Sequence, residues 1–172
     1  GRAIELWTSE RPAHLKNIVF RDCYILRTAH VAIDLQIYGS GITRMEDILC
    51  ENIHVDTDRP ADHPVYQKTD LQVYDGAAAD DYLPLLIFIG NAYKFEIPQN
   101  RLGFTPDVVF KNITLCNIRV NAHRMPQSII KTLDGYMRTE NVKIDGVYLN
   151  GKRMEDAGEM NLDAPEGSYQ LL

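Results

Sequence analysis

Two carboxylates, Glu5 and Asp34, occupy matching positions in two similar segments of the chain. Each stands between two aliphatic residues, so strand alternation predicts that the aliphatic neighbours face inward and the carboxylate outward. If these strands are adjacent, the two side chains start about 4.8 Å apart. Carboxylates at such a distance push their pKa values apart, and such a pair can provide acid and base catalysis on a glycosidic bond. The alternative is a solvated ladder of charged side chains.

Other side chains near the same strands could bind a sugar. His30 and His123 precede equivalent strands, and a histidine can bind a hydroxyl or carry a proton, although a surface histidine without a function is the alternative. Aromatic residues that follow the strands could stack on sugar rings or simply pack against loops. The candidate substrate-binding residues are Arg27, His30, Gln36, Lys131, Trp7 and Tyr38.

Nothing in the sequence predicts a metal or another cofactor. Cys23, Cys50 and Cys116 lack the spacing of metal ligands, and we expect them to be reduced. The aspartates between positions 56 and 81 lack the regular spacing of a calcium loop and are interpreted as an acidic surface loop.

A repeated pattern predicts the elements that would position these side chains. Apolar residues stand one, three, six and eight positions after each of four anchors, which are Asn17, Asp47, Asn112 and Asn141. The sixteen apolar residues are Ile18, Phe20, Cys23, Ile25, Ile48, Cys50, Ile53, Val55, Ile113, Leu115, Ile118, Val120, Val142, Ile144, Val147 and Leu149.

The spacing within each repeat requires a bend. Positions one and three share one face of a strand, and positions six and eight share another, but the parity changes between the two pairs. Asp22, Asn52, Asn117 and Gly146 stand five positions after the anchors, and these residue types best tolerate a left-handed backbone. We therefore predict a strand, a sharp bend and a second strand in each repeat, with side chains hydrogen-bonded along the stack of bends.

A further strand precedes each repeat, at 3–6, 32–37, 85–89 and 129–133. If Ile130 continues the inward column, Lys131 lies on the same outward stripe as Asp34. Three strands per turn without helical periodicity predict an all-β fold, a right-handed three-stranded parallel β-helix of about four coils. Residues 1–153 would form the coils, with insertions near 56–83 and 91–106, and residues 154–172 a polar tail. The first coil lacks a visible cap, so we expect the solenoid to be truncated at its N-terminal end and a homodimer could form there.

Composition limits the partners and says little about location. The 172 residues carry a net charge of −6, which disfavours nucleic acid and polyanionic substrates and favours a neutral glycan. No apolar run reaches the roughly 18 residues of a membrane span, so no membrane partner is expected. The chain starts at Gly1 without an initiator methionine or a signal segment. We interpret it as the C-terminal part of a secreted or periplasmic parent protein, with a cytoplasmic location as the alternative.

The segments at 17–23, 47–53 and 141–147 resemble coils of the pectate-lyase-like superfamily, and the chain is most similar to its polygalacturonase-like glycoside hydrolases, family 28. The resemblance covers residues 2 to 153 and implies inverting hydrolysis of a polysaccharide by carboxylates on one face. The family's Asn-Thr-Asp and Gly-His-Gly motifs are absent from this sequence. Residues 129–131, Ile-Ile-Lys, are similar to the family's Arg-Ile-Lys, but isoleucine replaces the arginine. No catalytic residue is therefore carried over from the family.

Three functions follow as hypotheses. The first is part of a carbohydrate-active enzyme, a glycoside hydrolase whose active centre upstream coils could complete. The second is a non-catalytic carbohydrate-binding or adhesive module. The third is a polysaccharide lyase, for which Lys131 is the candidate base.

Overall fold

The computed structural model describes residues 2–8, 13–26, 28, 30–37, 42–57, 83–90 and 107–172. The insertions predicted near 56–83 and 91–106 lie almost entirely outside these residues. Within the described ranges every regular element is a β-strand, and no helix is present. The strands are β1 Ile4–Thr8, β2 Ala13–Leu26, β3 Val31–Ile37, β4 Ile42–Asp56, β5 Leu85–Gly90, β6 Asp107–Asn121, β7 Ser128–Ile130, β8 Met137–Leu149, β9 Lys152–Arg153, β10 Leu162–Asp163 and β11 Gln170–Leu171.

The chain passes alternately between two parallel sheets. One, here called the short-strand sheet, has the order β1-β3-β5-β7-β10. The other, the long-strand sheet, has the order β11-β8-β6-β4-β2, and β9 pairs with β8 in antiparallel orientation. Neighbours in each sheet are therefore one repeat apart in sequence, and the all-β, parallel character expected from the repeat is confirmed.

The predicted columns are confirmed by the register of the long-strand sheet. Ile18 pairs with Ile48, Ile48 with Ile113, and Ile113 with Val142. Twelve of the sixteen inward residues are buried, and the other four, Ile18, Phe20, Cys23 and Leu149, are partly buried against the same core. The columns are continuous because successive strands pair without a slip in register. A slip of one residue would turn the apolar side chains to the other face.

Each long strand bends twice. Asp22, Asn52 and Asn117 have φ values of 56°, 55° and 51°, and Gly146 has 73°, so the bends predicted at these positions are confirmed. The anchors are also left-handed, with φ between 52° and 58°, which the sequence pattern did not predict. The predicted second and third strands are consequently parts of one hydrogen-bonded ladder with a bend on either side of its middle segment.

Side-chain hydrogen bonds connect these bends from strand to strand. Asn52 Nδ2 donates to Asp22 Oδ1 at 2.9 Å, and Asn117 Nδ2 donates to Asn52 Oδ1 at 2.7 Å. The anchors form a second ladder, in which Asn112 Nδ2 donates to Asp47 Oδ1 at 2.8 Å and Asn141 Nδ2 donates to Asn112 Oδ1 at 2.8 Å. The bends are therefore stabilised by the neighbouring repeats as well as by local backbone preference.

The central strands of the short-strand sheet are buried on both of their faces. Ile33, Leu35 and Ile87 belong to the main core, whereas a separate apolar cluster consists of Val31, Leu85, Phe88 and Ile129. Every residue of β3, β5 and β7 is buried. The outer face is thus covered over these three strands, as in parallel sheets that pack on both sides, whereas Glu5 and Trp7 of β1 are exposed.

Residues 154–172 extend both sheets by short strands. β10 pairs with β7 and β11 pairs with β8, and Met154 and Met160 are buried in the main core. The first-column strand expected at 129–133 ends earlier, because Leu133 forms an antiparallel bridge with Met137. Across the described ranges no helix has the length and apolarity that a membrane span needs.

Candidate functional site on the short-strand sheet

Glu5 and Asp34 lie side by side on β1 and β3. The register pairs Ile4 with Ile33, Glu5 with Asp34, and Leu6 with Leu35. The predicted alternation places the aliphatic neighbours in the main core and both carboxylates on the outer face of the sheet. Glu5 is exposed, but only 1% of Asp34 is accessible to solvent.

Arg2 joins the two carboxylates. Its Nη1 lies 3.2 Å from Glu5 Oε1, and its Nε lies 2.5 Å from Asp34 Oδ2. The guanidinium is 30% exposed, so it lies between a solvent-facing acid and a covered acid. Such a contact lowers the energy of the charged form of Asp34 without restoring the hydration that burial removes.

Burial dominates the electrostatics of Asp34. Desolvation, together with the charge of Glu5, outweighs the charge and hydrogen bond of Arg2, so the pKa of Asp34 rises from 3.8 to about 7. Near neutral pH both the protonated and the charged form of this carboxyl group are therefore populated. A carboxyl of this kind can act as a general acid or base at physiological pH.

A second buried polar residue follows the acid on the same strand. Gln36 is 1% exposed and lies two residues further along β3. Within the described part of the chain, neither amide atom of Gln36 nor Oδ1 of Asp34 has a hydrogen-bond partner. Since buried polar groups are usually paired, these atoms are suited to contact a bound polar molecule.

A second outward column runs beside the carboxylates. Trp7, which is 51% exposed, pairs with Gln36, and Gln36 pairs with Gly90. A Cβ on Gly90 would lie 2.9 Å from Lys131 Cβ, so the next residue in this column is Lys131. Ile130 belongs to the main core, as expected. The prediction that Lys131 shares the outward stripe of Asp34 is wrong, because that stripe continues to Ile129 and Lys131 lies in the neighbouring column. Gly90 stands between Gln36 and Lys131 in this column and contributes no side chain.

The other predicted binding residues do not all lie in this cluster. His30 is half-buried just before β3, and its carbonyl accepts a hydrogen bond from the Leu85 amide at 2.7 Å. Burial lowers the pKa of His30, and the charge of Arg2 lowers it further. Arg27 and Tyr38 lie outside the described residues.

The expected charged ladder is wrong beyond its first two members. The column of Glu5 and Asp34 continues through Phe88 and Ile129, both of which are buried. Asp34 itself is buried, so the column is not a solvated ladder. The uninterrupted apolar sequence of β5 could have indicated this, because strands covered on both faces lack polar alternation.

Sequence reasoning also missed Arg2. Its position three residues before Glu5 gave only a weak signal, because contact with Asp34 depends on the pairing of β1 with β3. The tertiary structure thus brings the guanidinium of Arg2 to the two acids, and the buried amide of Gln36 lies two residues further along β3. Among the described residues, no group of three or more His, Cys, Asp or Glu side chains could hold a metal ion.

No protein-family model, curated protein or solved structure significantly matches this chain.

Proposed function

We propose that this chain is part of a right-handed parallel β-helix and belongs to a carbohydrate-active enzyme that hydrolyses glycosidic bonds. The alternating path between two parallel sheets and the doubly bent long strands support the β-helix architecture. The resemblance to polygalacturonase-like hydrolases, noted from the sequence, supports a polysaccharide or oligosaccharide substrate. The protein would be secreted or periplasmic.

The observation that carries the proposal is the unequal environment of two neighbouring carboxyl groups. Asp34, with its pKa raised to about 7, would donate a proton to the glycosidic oxygen. Glu5, on the solvent side of the same register pair, would act as the base or nucleophile. Because Asp34 is almost fully covered, the covering residues must move for a glycosidic oxygen to reach it.

Neighbouring residues would orient the sugar. Gln36 offers an amide donor and acceptor, Trp7 offers an exposed ring, and Lys131 lies beyond Gly90 on the same outward column. The proximity of the acids bears on stereochemistry. Adjacent strands are about 4.8 Å apart, which is nearer to the carboxyl separation of about 5–5.5 Å in retaining enzymes than to about 6.5–9.5 Å in inverting ones. The family resemblance implies inversion, so the configuration of the released sugar is informative.

The test measures hydrolysis of neutral polysaccharides by release of reducing ends. We expect Asp34→Asn and Glu5→Gln each to lower the rate by about 10²–10⁴-fold, because each removes a proton-transfer or nucleophilic group. Asp134→Asn, at an exposed turn, is the matched control and should leave the rate unchanged. Hydrolysis that both site variants retain in full would overturn the assignment of these carboxylates, and NMR of the first product would distinguish retention from inversion.

The alternative function is a non-catalytic carbohydrate-binding module. It is favoured by the burial of Asp34 and by an open groove on the outer face of the long-strand sheet, lined by Tyr24, His54, Arg119 and Tyr148. Glycan binding by the wild-type chain without hydrolysis of any tested glycan would support this alternative over the enzyme.

We also propose a homodimer through the open edge of β1 and β2. These are the terminal strands of their sheets among the described residues, and Val19 and Leu26 on β2 are exposed. Unpaired strand edges with apolar side chains favour pairing with another chain. Static light scattering should give a dimer mass, and a monomer mass over a wide concentration range would contradict this proposal.

A further inference from the structure

A groove crosses the outer face of the long-strand sheet, whereas Glu5 and Asp34 lie on the short-strand sheet. Its volume is about 350 Å³. It runs across the strands, because its walls are outward residues that pair from one repeat to the next. The side chains that shape it are Tyr24, His54, Arg119, Asn121, Tyr148 and Asn150. We propose that this groove, here called the long-strand groove, binds a linear uncharged carbohydrate chain.

The first wall is one column of four side chains. Tyr24 pairs with His54, His54 with Arg119, and Arg119 with Tyr148. These residues stand seven positions after their anchors, between two inward apolar positions. Four adjacent strands span about 14 Å at about 4.8 Å per spacing, so the wall can contact successive units of an extended ligand.

The rings of this wall are held in place before any ligand binds. The Tyr24 and His54 rings are stacked, with centroids 5.5 Å apart and planes 7° from parallel. The Arg119 guanidinium lies 5.6 Å from the centre of the Tyr148 ring, and its Nε donates to Asn117 Oδ1 at 2.9 Å. A preorganised surface loses little conformational entropy on binding.

The second wall is polar and stands nine positions after the anchors. Asn121 Nδ2 lies 3.5 Å from Asp56 Oδ1 across the strands. Asn150 is tied to the backbone of Ala122, because it donates to the carbonyl at 2.8 Å and accepts from the amide at 3.2 Å. The groove therefore has a firm polar wall opposite an aromatic one.

This combination fits a sugar better than a nucleic acid or an apolar peptide. Sugar rings present C–H faces that pack on aromatic rings and hydroxyls that pair with amide and guanidinium groups. The ring of Tyr24 is exposed, at 65% accessibility, whereas the apolar residues of the floor, Val55 and Val120, are buried. The chain's net charge of −6 disfavours a polyanionic ligand.

The experiment titrates the whole chain with linear neutral oligosaccharides of glucose, xylose and mannose units, with oligogalacturonate as the anionic comparison. Binding is followed by isothermal titration calorimetry and by NMR shifts of residues lining the groove. Tyr24→Ala and Arg119→Ala should each weaken binding about tenfold, because each removes a face or a donor. Thr114→Ala, an outward residue of β6 outside the groove, is the matched control and should bind as the wild type does.

Three results would overturn the proposal. These are no binding of any neutral oligosaccharide, binding that Tyr24→Ala and Arg119→Ala both leave intact, and stronger binding of oligogalacturonate. Tyr24→Phe keeps the ring and should keep binding, which separates loss of the stacking face from misfolding. Glu5 and Asp34 do not line the groove. Hydrolysis by Tyr24→Ala therefore tests the proposed catalytic site, whereas oligosaccharide binding by the same variant tests the groove, so failure of one proposal can be told from failure of the other. Self-association that the groove variants abolish, without any sugar binding in the wild type, would instead show a second copy as the occupant.

Discussion

The outer faces of the two sheets obey the same alternation, but the central strands of the short-strand sheet are covered and those of the long-strand sheet face solvent. On the short-strand sheet, Asp34 and Gln36 point outward and are nevertheless buried. On the long-strand sheet, Tyr24 and Arg119 point outward and are exposed. The comparison shows that "outward" in a repetitive sheet fixes direction only, and that the cover on each face decides the chemistry. Burial shifts a proton equilibrium on one face, whereas exposure leaves a rigid binding surface on the other.

The sequence of each sheet agrees with this difference. The strand β5 is apolar from Leu85 to Ile89, as expected for a strand covered on both faces. The strand β6 carries polar outward residues such as Lys111 and Arg119 between buried ones. The long-strand sheet can therefore face water without exposing a large apolar patch.

The largest expected effect is a pH-dependent stability that arises from the covered face. The pKa of Asp34 is raised from 3.8 to about 7, so the folded state holds its proton more tightly than the unfolded state does. The stabilisation is complete below about pH 3.8 and is lost as the pH rises through about 7. At 1.36 kcal/mol per pKa unit the loss is on the order of 4 kcal/mol.

Urea denaturation of the wild type and Asp34→Asn at several pH values measures this effect. The difference between their free energies of unfolding should change with pH in this window and become constant above it. Asp134→Asn, the exposed control, should follow the wild type. Parallel pH curves for the wild type and Asp34→Asn would show that the covered acid titrates normally, which would remove the contrast between the two faces.

An intermediate effect is expected at the bend beside the long-strand groove. Asn117→Ala removes the hydrogen bond to Asn52 and the acceptor of Arg119 Nε, and places alanine at a φ of 51°. We expect the free energy of unfolding to fall by about 2 kcal/mol. Loss of the hydrogen bonds accounts for about 1 kcal/mol, and the left-handed backbone conformation of alanine accounts for about 1 kcal/mol. Asn117→Gly tolerates the backbone and should lose less. Thermal unfolding of both variants shows which is less stable. If both lose the same free energy of unfolding, the whole effect comes from the lost side-chain hydrogen bonds and none from the backbone conformation.

The smallest effect is expected from the open face. Tyr24→Ala should change the free energy of unfolding by less than about 1 kcal/mol, because the ring is exposed and loses only its stacking on His54. Chemical denaturation at neutral pH gives the value. A loss larger than that of Asn117→Ala would mean that the aromatic wall supports the fold, and the comparison of a covered and an open face would then need revision.

Much of the framework was predictable because its causes are local. Alternation and the left-handed tolerance of Asn, Asp and Gly located the column from Ile18 to Val142 and the bends from Asp22 to Gly146. The second bend at each anchor was missed, although Asn and Asp at those positions carried the same signal. Glu5 and Asp34 were paired correctly, because the register follows from their aliphatic neighbours.

The rest of the candidate site depends on contacts between distant residues. Arg2 reaches Asp34 only because β1 pairs with β3, and the column continues into Phe88 only because β5 pairs next. The repeat places the side chains of the long-strand groove at fixed positions after the anchors, but only the pairing of β2, β4, β6 and β8 brings them together.

The amino-acid sequence by itself determined which side chains point inward and where the backbone bends, since alternation and φ preferences act within a few residues. Only the tertiary structure decided which outward side chains are covered. Solvent exposure and pKa depend on what packs above a residue, and strands remote in sequence supply that packing.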